Sequence, residues 1–468
     1  MTRPNILMFM PDQLRADAVG CFGGYAKTPN IDALAGGGVR FAQAFSQNSV
    51  CSPSRISMMT GWYPHVRGHR TLTHLIQPDE PNLLKMFKDA GYHVAWAGRR
   101  GDTFAKATQD QSTDRYGFAI RPATFHHFAP KDHESAWARA HFHGLRIADG
   151  VVLDFDEAAV QTAISWLTEG LPEPWVLFVA LIFPHVPFEV EEPWFSLHDR
   201  DAMPPPVAAD MTRKPAYMRR MAQRTRLDRL SLVDWRELKA VYAGMVSRVD
   251  DQLGRVLNAV AAQGASERTL NLFFTDHGEY LGDFGLVEKW PSGLDNCLLH
   301  NPLIVSGPGV VAGATCDAMI EMVDLLPTLS ELCGLTVAHT HFGKSFSAQL
   351  GGSTAHHKPA VYAEGGFTAA EEHLLETADF PYDVKAAIQH EDPSFIGRAV
   401  AVRTPDWTYI HRLYDAPELY DRRTDPGEVR NLAGEPALAQ IEQGLKDQVF
   451  AWFMETSDVI PWQADRRF

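Results

Sequence analysis

The chain has 468 residues and a formal net charge of −15, with 45% hydrophobic and 22% charged residues. This length suits one large α/β domain with an appendage, or about two to three ordinary domains. The negative charge argues against a protein that binds nucleic acid or a membrane surface, so an anionic substrate would require a local cationic pocket.

The five cysteines indicate a reducing compartment. Their number is odd and no Cys-x-x-Cys pair occurs, so we expect neither a disulfide framework nor a zinc ribbon. A strand-like run begins at Asn5 without a preceding signal-peptide pattern, and no apolar run is long enough to span a membrane. We therefore expect a cytoplasmic protein.

Apolar strands alternate with helices over most of the chain. Continuously apolar strands are predicted at 6–10, 92–97, 176–183 and 270–275, and apolar residues at intervals of three and four predict a long helix at 235–262. This alternation predicts an α/β fold with a mostly parallel central sheet that is covered by helices on both faces.

The pattern changes after about residue 355. Short strands are predicted at 399–403 and 407–412, and a final helix near 437–453. We therefore expect a catalytic α/β domain over 1–355 and a smaller C-terminal α+β subdomain with an antiparallel sheet over 356–468.

The stretch around Cys51 combines a cysteine with a helix start. Pro53 presets the backbone angle of a first helical turn, and Ser52 is a suitable N-cap. Cys51 is then expected just outside a helix N-terminus, where an anion is favoured. Arg55 falls in the first turn, where a cation is disfavoured, and so indicates an anionic partner. Taken alone, a cysteine is more often a small buried side chain than a nucleophile.

Two strands that lie far apart in the sequence both end in a pair of polar residues. Asp12 and Gln13 follow the first strand, and Asp276 and His277 follow the strand at 270–275. Ligands of open α/β sheets bind beyond the carboxyl ends of the strands, so neighbouring strands would bring these donors together. Carboxylates, an amide oxygen and an imidazole suit one divalent cation, although an aspartate after a strand is also common in turns.

These motifs together resemble the type I sulfatases of the alkaline phosphatase superfamily. Cys51, Pro53 and Arg55 match the Cys-x-Pro-x-Arg signature of that family. The first strand with its polar pair and the segments 276–279 and 419–432 are similar to further family motifs, which occur in the expected order. The resemblance implies an alkaline phosphatase-like sandwich of helices around the sheet.

The resemblance also implies a reaction, the hydrolysis of a small-molecule sulfate ester. A formylglycine-generating enzyme oxidises Cys51 to formylglycine, and one hydroxyl of its hydrate attacks sulfur while the second later expels sulfate. Asp12, Gln13, Asp276 and His277 hold one divalent metal ion, which polarises the sulfuryl oxygens. Calcium is the expected ion, with manganese and magnesium as alternatives, since an imidazole ligand shifts the preference toward transition ions.

Four further residues receive roles from the resemblance. Arg55 fixes the nucleophile and offsets charge, and His185 faces the leaving group. Lys289 binds or protonates the leaving oxygen. Arg99 stands where the family has the lysine of Gly-Lys-x-His, and its planar fork suits a tetrahedral oxyanion. A loop histidine and a solvated surface lysine are the alternatives for His185 and Lys289.

The chain departs from the family pattern at Gly101, where sulfatases usually carry the histidine of Gly-Lys-x-His. His65 and His69 are candidate substitutes, with ordinary surface histidines as the alternative. His277, in place of an amide ligand, resembles the phosphonate monoester hydrolase branch, which shares formylglycine. The alternative functions are therefore hydrolysis of phosphonate monoesters or phosphodiesters at the same site, and a sulfatase-like binding protein without catalysis.

The organic part of the substrate and the oligomeric state are left open by the sequence, and a homo-oligomer is compatible with it. The loops predicted at 103–150 and 185–230 are expected to shape the pocket for the organic part. Several histidines occur in the first loop: His126, His127, His133, His141 and His143.

Overall fold

The computed structural model describes residues 3–98, 101–123, 135–147 and 152–460. In these ranges the strands β1 to β15 are, in chain order, Asn5–Met10, Gly38–Phe45, His93–Ala97, Arg115–Gly117, Phe142–Leu145, Trp175–Ala180, Phe188–Val190, Thr269–Phe274, His300–Ser306, Ala314–Cys316, Ile320–Glu321, Val361–Gly365, Ala399–Arg403, Trp407–Arg412 and Glu418–Asp421.

The helices α1 to α15 of the same ranges are, in chain order, Pro29–Gly36, Cys51–Thr60, Pro64–Arg67, Leu83–Asp89, Lys106–Ser112, Ala136–Arg139, Phe155–Glu169, Ala216–Thr225, Leu232–Ala262, Asn296–Leu299, Leu325–Leu332, Ser347–Leu350, Asp383–Gln389, Pro393–Ile396 and Ala439–Thr456. Among the described residues, no helix combines the length and apolar character that crossing a bilayer requires.

The large sheet has β1 near its centre. Its strand order is β10-β2-β9-β8-β1-β6-β3-β4, and β11 adds to β2. β1 runs parallel to both β6 and β8, whereas β9 runs antiparallel to β8 and to β2. The predicted mostly parallel central sheet is therefore confirmed.

Helices cover both faces of this sheet, and β1 shows why its sequence is continuously apolar. Leu7 and Phe9 point to a buried cluster that includes residues of α1, α7 and α9. Ile6 and Met8 point to a second cluster, which includes residues of α2, α4 and α11. A strand that is buried on both faces has no solvent side, so alternation of polar and apolar residues is absent.

The small sheet near the C-terminus has the antiparallel order β12-β13-β14-β15, which confirms the second part of the predicted fold class. Helix α15 packs against it through Leu445 and Trp452. The same buried cluster contains Tyr63 and Val323 from the first part of the chain. The domain boundary at 355/356 stays a prediction.

The region 103–150 was expected to consist of long loops, and its described parts contain short elements instead. They are α5, β4, α6 and β5, each of three to seven residues. Elements of this length show too few periods of a hydrophobic pattern to be recognised from sequence. The strand β5 pairs with β7 in a separate two-stranded sheet.

Candidate active site

Helix α2 begins at Cys51, two residues earlier than a Ser52 cap predicts. Val50 is the N-cap in extended conformation, and its carbonyl accepts the first helical bond from Ser54 N at 3.1 Å. The Ser52 hydroxyl instead donates to the carbonyl of Leu72 at 3.2 Å. The cap prediction is wrong because a tertiary partner takes the hydroxyl. Cys51 is nevertheless in the first turn, where peptide N–H groups face outward.

The polar pairs after β1 and β8 meet because these strands are neighbours, with Phe9 opposite Phe273. The chain turns sharply at Gln13, which has a left-handed backbone with φ 63°. The Gln13 N–H donates to Asp276 Oδ1 at 3.1 Å. A glutamine held at positive φ is strained, and such strain is typical of functional sites.

Four buried side chains converge at this edge of the sheet. Ligand atoms of Asp12, Cys51, Asp276 and His277 all lie within 4.8 Å of one another. His277 Nε2 is 3.2 Å from Cys51 Sγ and 3.6 Å from Asp12 Oδ1. These donors fit a divalent cation, since carboxylate oxygens, an imidazole nitrogen and sulfur are all metal ligands.

The tautomer of His277 suits a ligand. Its Nδ1 lies 2.8 Å from the carbonyl of Gly278, which can only accept, so Nδ1 donates and Nε2 keeps its lone pair. Burial lowers the pKa of His277, and the ammonium of Lys289 adds to this effect. The imidazole is therefore neutral and its Nε2 carries no proton, as metal ligation requires.

Arg55 binds three carboxylates, two of which belong to this cluster. Its Nε and Nη2 donate to Asp276 Oδ2 and Asp12 Oδ2, each at 2.7 Å. Its Nη1 donates to Asp102 Oδ1 at 2.9 Å. The side chain is 1% exposed. The anionic partners that Arg55 was expected to need thus include carboxylates of the protein itself, which it holds in a fixed arrangement.

Lys289 and His185 lie together beside Gln13. Lys289 Nζ donates to Gln13 Oε1 at 2.5 Å and lies 2.9 Å from His185 Nε2. The Nδ1 of His185 lies 2.8 Å from the carbonyl of Val186, so Nδ1 donates and Nε2 accepts from the ammonium. Lys289 is 7% exposed, unlike a solvated surface lysine.

The ammonium of Lys289 is kept charged by Glu288. Burial opposes this charge, but the carboxylate of Glu288 outweighs burial and raises the pKa of Lys289. Glu288 Oε2 is 3.1 Å from Lys289 Nζ and 3.0 Å from Lys385 Nζ. Glu288 Oε1 also lies 3.4 Å from His185 Nε2. Lys289 therefore holds its protons at neutral pH.

The amide of Gln13 is oriented by Glu279. Gln13 Nε2 donates to Glu279 Oε2, which leaves Gln13 Oε1 on the side of Lys289. Glu279 Oε1 accepts from the N–H groups of Leu281 and Glu288 at 2.9 and 2.5 Å. Burial, together with the charge of Glu288, raises the pKa of Glu279 to about 7.

Comparison with known proteins decides the family. A family model described as sulfatase matches residues 4–335, which is most of the chain. The chain belongs to the sulfatase family. Its activity is that of a sulfuric ester hydrolase.

Three distant relatives match nearly the whole chain. The chain is 26% identical to the multifunctional alkaline phosphatase superfamily protein PehA of Trinickia caryophylli, over 98% of the chain and 96% of PehA. It is 24% identical to an N-acetylglucosamine-6-O-sulfatase of Bacteroides thetaiotaomicron, over 95% and 85% of the two chains. A phosphonate monoester hydrolase of Agrobacterium radiobacter has the same fold, with a TM-score of 0.77 at 23% identity over 97% and 96%.

Several predicted residues of this sulfatase lie outside the described ranges or away from the residues named above. Arg99 lies outside the described residues, as do His126, His127 and His133. His141 is buried, and its ring centroid is 5.3 Å from that of Tyr382.

The candidate substitutes for the missing histidine are held elsewhere. His65 Nδ1 is 2.6 Å from Glu364 Oε1, and its Nε2 is 2.9 Å from the carbonyl of Thr456. His69 Nδ1 and Nε2 lie 2.8 Å from the carbonyl of His74 and 3.2 Å from Glu80 Oε1. Both ring nitrogens of each histidine thus bond groups outside the cluster, and their role as substitutes for the histidine expected at position 101 stays a prediction.

Three carboxylates of the site were not predicted as functional residues. Asp102 directly follows the departure from the family pattern, Glu279 ends the motif segment 276–279, and Glu288 adjoins Lys289. Their positions next to motif residues were the available signal. What each one contacts could not be read from sequence, since Arg55 and Asp102 are 47 positions apart.

Proposed function

We propose that this sulfatase hydrolyses sulfate esters through a formylglycine formed from Cys51 and one divalent metal ion, and releases inorganic sulfate and an alcohol. The observation that carries the proposal is the buried cluster of Cys51 with Asp12, Asp276 and His277 at the ends of two neighbouring parallel strands. A formylglycine-generating enzyme would act on the Cys-x-Pro-x-Arg stretch before folding buries it.

Asp12, Asp276 and His277 would hold the metal ion, with Gln13 as a further ligand through Oε1. A bound cation of this kind polarises the sulfuryl oxygens of the ester. We propose calcium because three of the four donors are oxygens, with manganese or magnesium as alternatives. The formylglycine hydrate supplies the attacking hydroxyl.

The protein's own residues manage charge and the proton. Arg55 keeps Asp12 and Asp276 apart and aimed at one point, since it donates to one oxygen of each. The ammonium of Lys289 would donate a proton to the leaving oxygen. Its contact with His185 Nε2 would let the imidazole take up or return that proton. The departing oxygen would thus be met by a positively charged donor. Arg99 stays a predicted anion clamp.

A second candidate is the hydrolysis of phosphonate monoesters or phosphodiesters with the same apparatus. Two observations favour it: the imidazole of His277 in the metal cluster, and the likeness of the fold to a phosphonate monoester hydrolase. The third alternative, a binding protein without catalysis, is less well supported because Asp12, Cys51, Asp276 and His277 converge in one buried cluster. The cytoplasmic location and a homo-oligomer stay predictions.

One experiment separates the first two functions. The protein is co-expressed with a formylglycine-generating enzyme and loaded with Ca²⁺ or Mn²⁺, and kcat/KM is measured for 4-nitrophenyl sulfate and for 4-nitrophenyl phenylphosphonate. We expect the sulfate ester to be preferred. A dominant turnover of the phosphonate would make the second candidate the function.

The nucleophile is tested by mass spectrometry of the peptide 41–67. We expect loss of the thiol and gain of an aldehyde at Cys51, and loss of activity in Cys51→Ala. Fully active protein with an unmodified cysteine would contradict the proposal, and so would an active Cys51→Ala variant.

A further inference from the structure

The turn that carries His185 is hydrogen-bonded to the first turn of helix α7. Asp156, the second residue of α7, accepts from the main-chain N–H groups of Ile182 and Phe183 at 2.7 and 2.8 Å. Asp156 is 1% exposed. The carboxylate of Asp156 therefore binds the turn after β6, whereas Asp154 caps the N-terminus of α7.

The same turn is bonded to the strand of the metal cluster. The carbonyl of Phe183 accepts from the Asp12 N–H at 3.2 Å, and the carbonyl of Ile182 accepts from the His185 N–H at 2.9 Å. The two residues that Asp156 binds through their N–H groups thus hold Asp12 and His185 through their carbonyls. A shift of this turn would move both residues.

The side chain of Phe183 is restrained as well. Two guanidinium groups contact its ring, with Arg146 at 5.2 Å and Arg248 at 4.9 Å from the centroid. Asp154 Oδ2 fixes both arginines, at 2.7 and 2.9 Å. Cation–π contacts from two guanidinium groups leave a buried ring little freedom. The start of α7 therefore holds the turn through its backbone and through its aromatic side chain.

We propose that Asp156 is a positioning residue for the leaving-group side of the active site. By binding the Ile182 and Phe183 N–H groups, it keeps His185 Nε2 within reach of Lys289 Nζ. This inference rests on the proposed role of His185 and Lys289 toward the leaving oxygen. Asp156 itself acts through the turn and touches no reacting group.

The test is Asp156→Asn, because an amide has one acceptor oxygen and would turn an NH₂ group toward a second N–H. The holoenzyme is assayed on aryl sulfates that range from 4-nitrophenyl to phenyl sulfate. We expect kcat/KM to fall about tenfold or more for phenyl sulfate and by less than about threefold for 4-nitrophenyl sulfate, since only a poor leaving group needs a proton. The dependence of rate on leaving-group pKa becomes steeper.

Asp250→Asn is the matched control. Asp250 is also a buried aspartate that binds two main-chain N–H groups, those of Asn30 and Ile31 at 3.2 and 2.7 Å, at the start of α1. We expect a similar loss of thermal stability with an unchanged leaving-group dependence. If the two variants have the same leaving-group dependence, Asp156 has a purely structural role and the inference is overturned.

His185→Gln separates this inference from the proposed function. A steeper dependence in His185→Gln with no change in Asp156→Asn would overturn the inference alone. An unchanged dependence in His185→Gln would overturn the proposed role of His185, and with it the inference. If Asp156→Asn does not fold, Phe183→Leu loosens the same turn with Asp156 intact: a steeper dependence supports the inference, and an unchanged one overturns it.

Discussion

Arg55 contacts three carboxylates with three different nitrogen atoms, which a lysine cannot do. A guanidinium is planar and rigid, so its three contacts fix the relative positions of Asp12, Asp276 and Asp102. The cluster depends on this arrangement because two of these residues are the proposed metal ligands. At the residue scale, the hydrogen-bond donors of Arg55 thus determine how the carboxylates of the site are arranged.

Replacement of this guanidinium gives a first prediction. In Arg55→Lys we expect kcat/KM to fall by at least about a hundredfold and the free energy of unfolding by about 2–4 kcal/mol, because buried carboxylates lose their partners. Steady-state kinetics and urea unfolding measure the two effects. Since Arg55 is part of the modification signature, the peptide 41–67 is weighed as a control. Full conversion of Cys51 with wild-type kinetics would contradict the prediction.

The orientation of Gln13 gives a second prediction. Glu279→Gln replaces the acceptor of Gln13 Nε2 by an amide that can turn its own NH₂ group toward it. We expect the dissociation constant of Ca²⁺ or Mn²⁺ to rise about tenfold, as is usual when a group behind a metal ligand is altered. Chelator competition measures it. Glu321→Gln, at a buried glutamate bonded to Tyr63 and Tyr362, should leave metal affinity unchanged.

At the scale of elements, the site is made by the residues directly after β1, β6 and β8 and by the start of α2. β1 lies between β6 and β8 in the sheet, so the ends of all three strands reach the same edge. Their apolar sequences made the strands predictable, and the polar residues after them marked the edge. The strand β2 was missed, because Gly38–Phe45 begins on the last glycine of the run 36–38, which marks the end of a helix. Only the sheet shows that it pairs with β9.

The loop after β8 gives a third prediction, at Gly278. A Cβ at this position would lie 2.0 Å from the carbonyl oxygen of Cys297, which is backbone and cannot move aside cheaply. Gly278→Ala should lower the free energy of unfolding by at least about 2 kcal/mol and weaken metal binding, since it displaces His277. Gly36→Ala, where a Cβ meets no atom within 4 Å, is the control. Equal unfolding midpoints of the two variants would contradict the prediction.

At the scale of the whole molecule, burial sets the charge states of two further histidines. Burial lowers the pKa of His198 and of His300 to about 4. His198 is 4% exposed, and its Nε2 lies 2.9 Å from Ser247 Oγ. Both histidines are neutral in the folded state, whereas the unfolded chain protonates them below a pKa of about 6.5.

This gives a fourth prediction, on pH. A lowered histidine pKa stabilises the fold above pH 6.5, and that stability is lost as the pH falls from 6.5 toward 4. We expect the stability difference between the wild type and His198→Gln to shrink by about 2 kcal/mol from pH 7.5 to pH 4.5. Urea unfolding at the two pH values measures it. A constant difference would mean that His198 is not kept neutral by burial.

The amino-acid sequence was enough to predict the alternation of strands and helices, the family signature at Cys51 and the polar pairs after β1 and β8. These are local patterns, and a strand, a helix start or a signature is specified by adjacent residues. The folded chain alone shows which groups meet: Asp102 at Arg55, Glu279 at Gln13, and Asp156 behind His185. Such contacts join residues that lie far apart in the sequence. Gln13 and Asp276, for example, are separated by 263 positions. Local patterns carry no information about the orientation of a side chain toward a distant partner, so packing settles it.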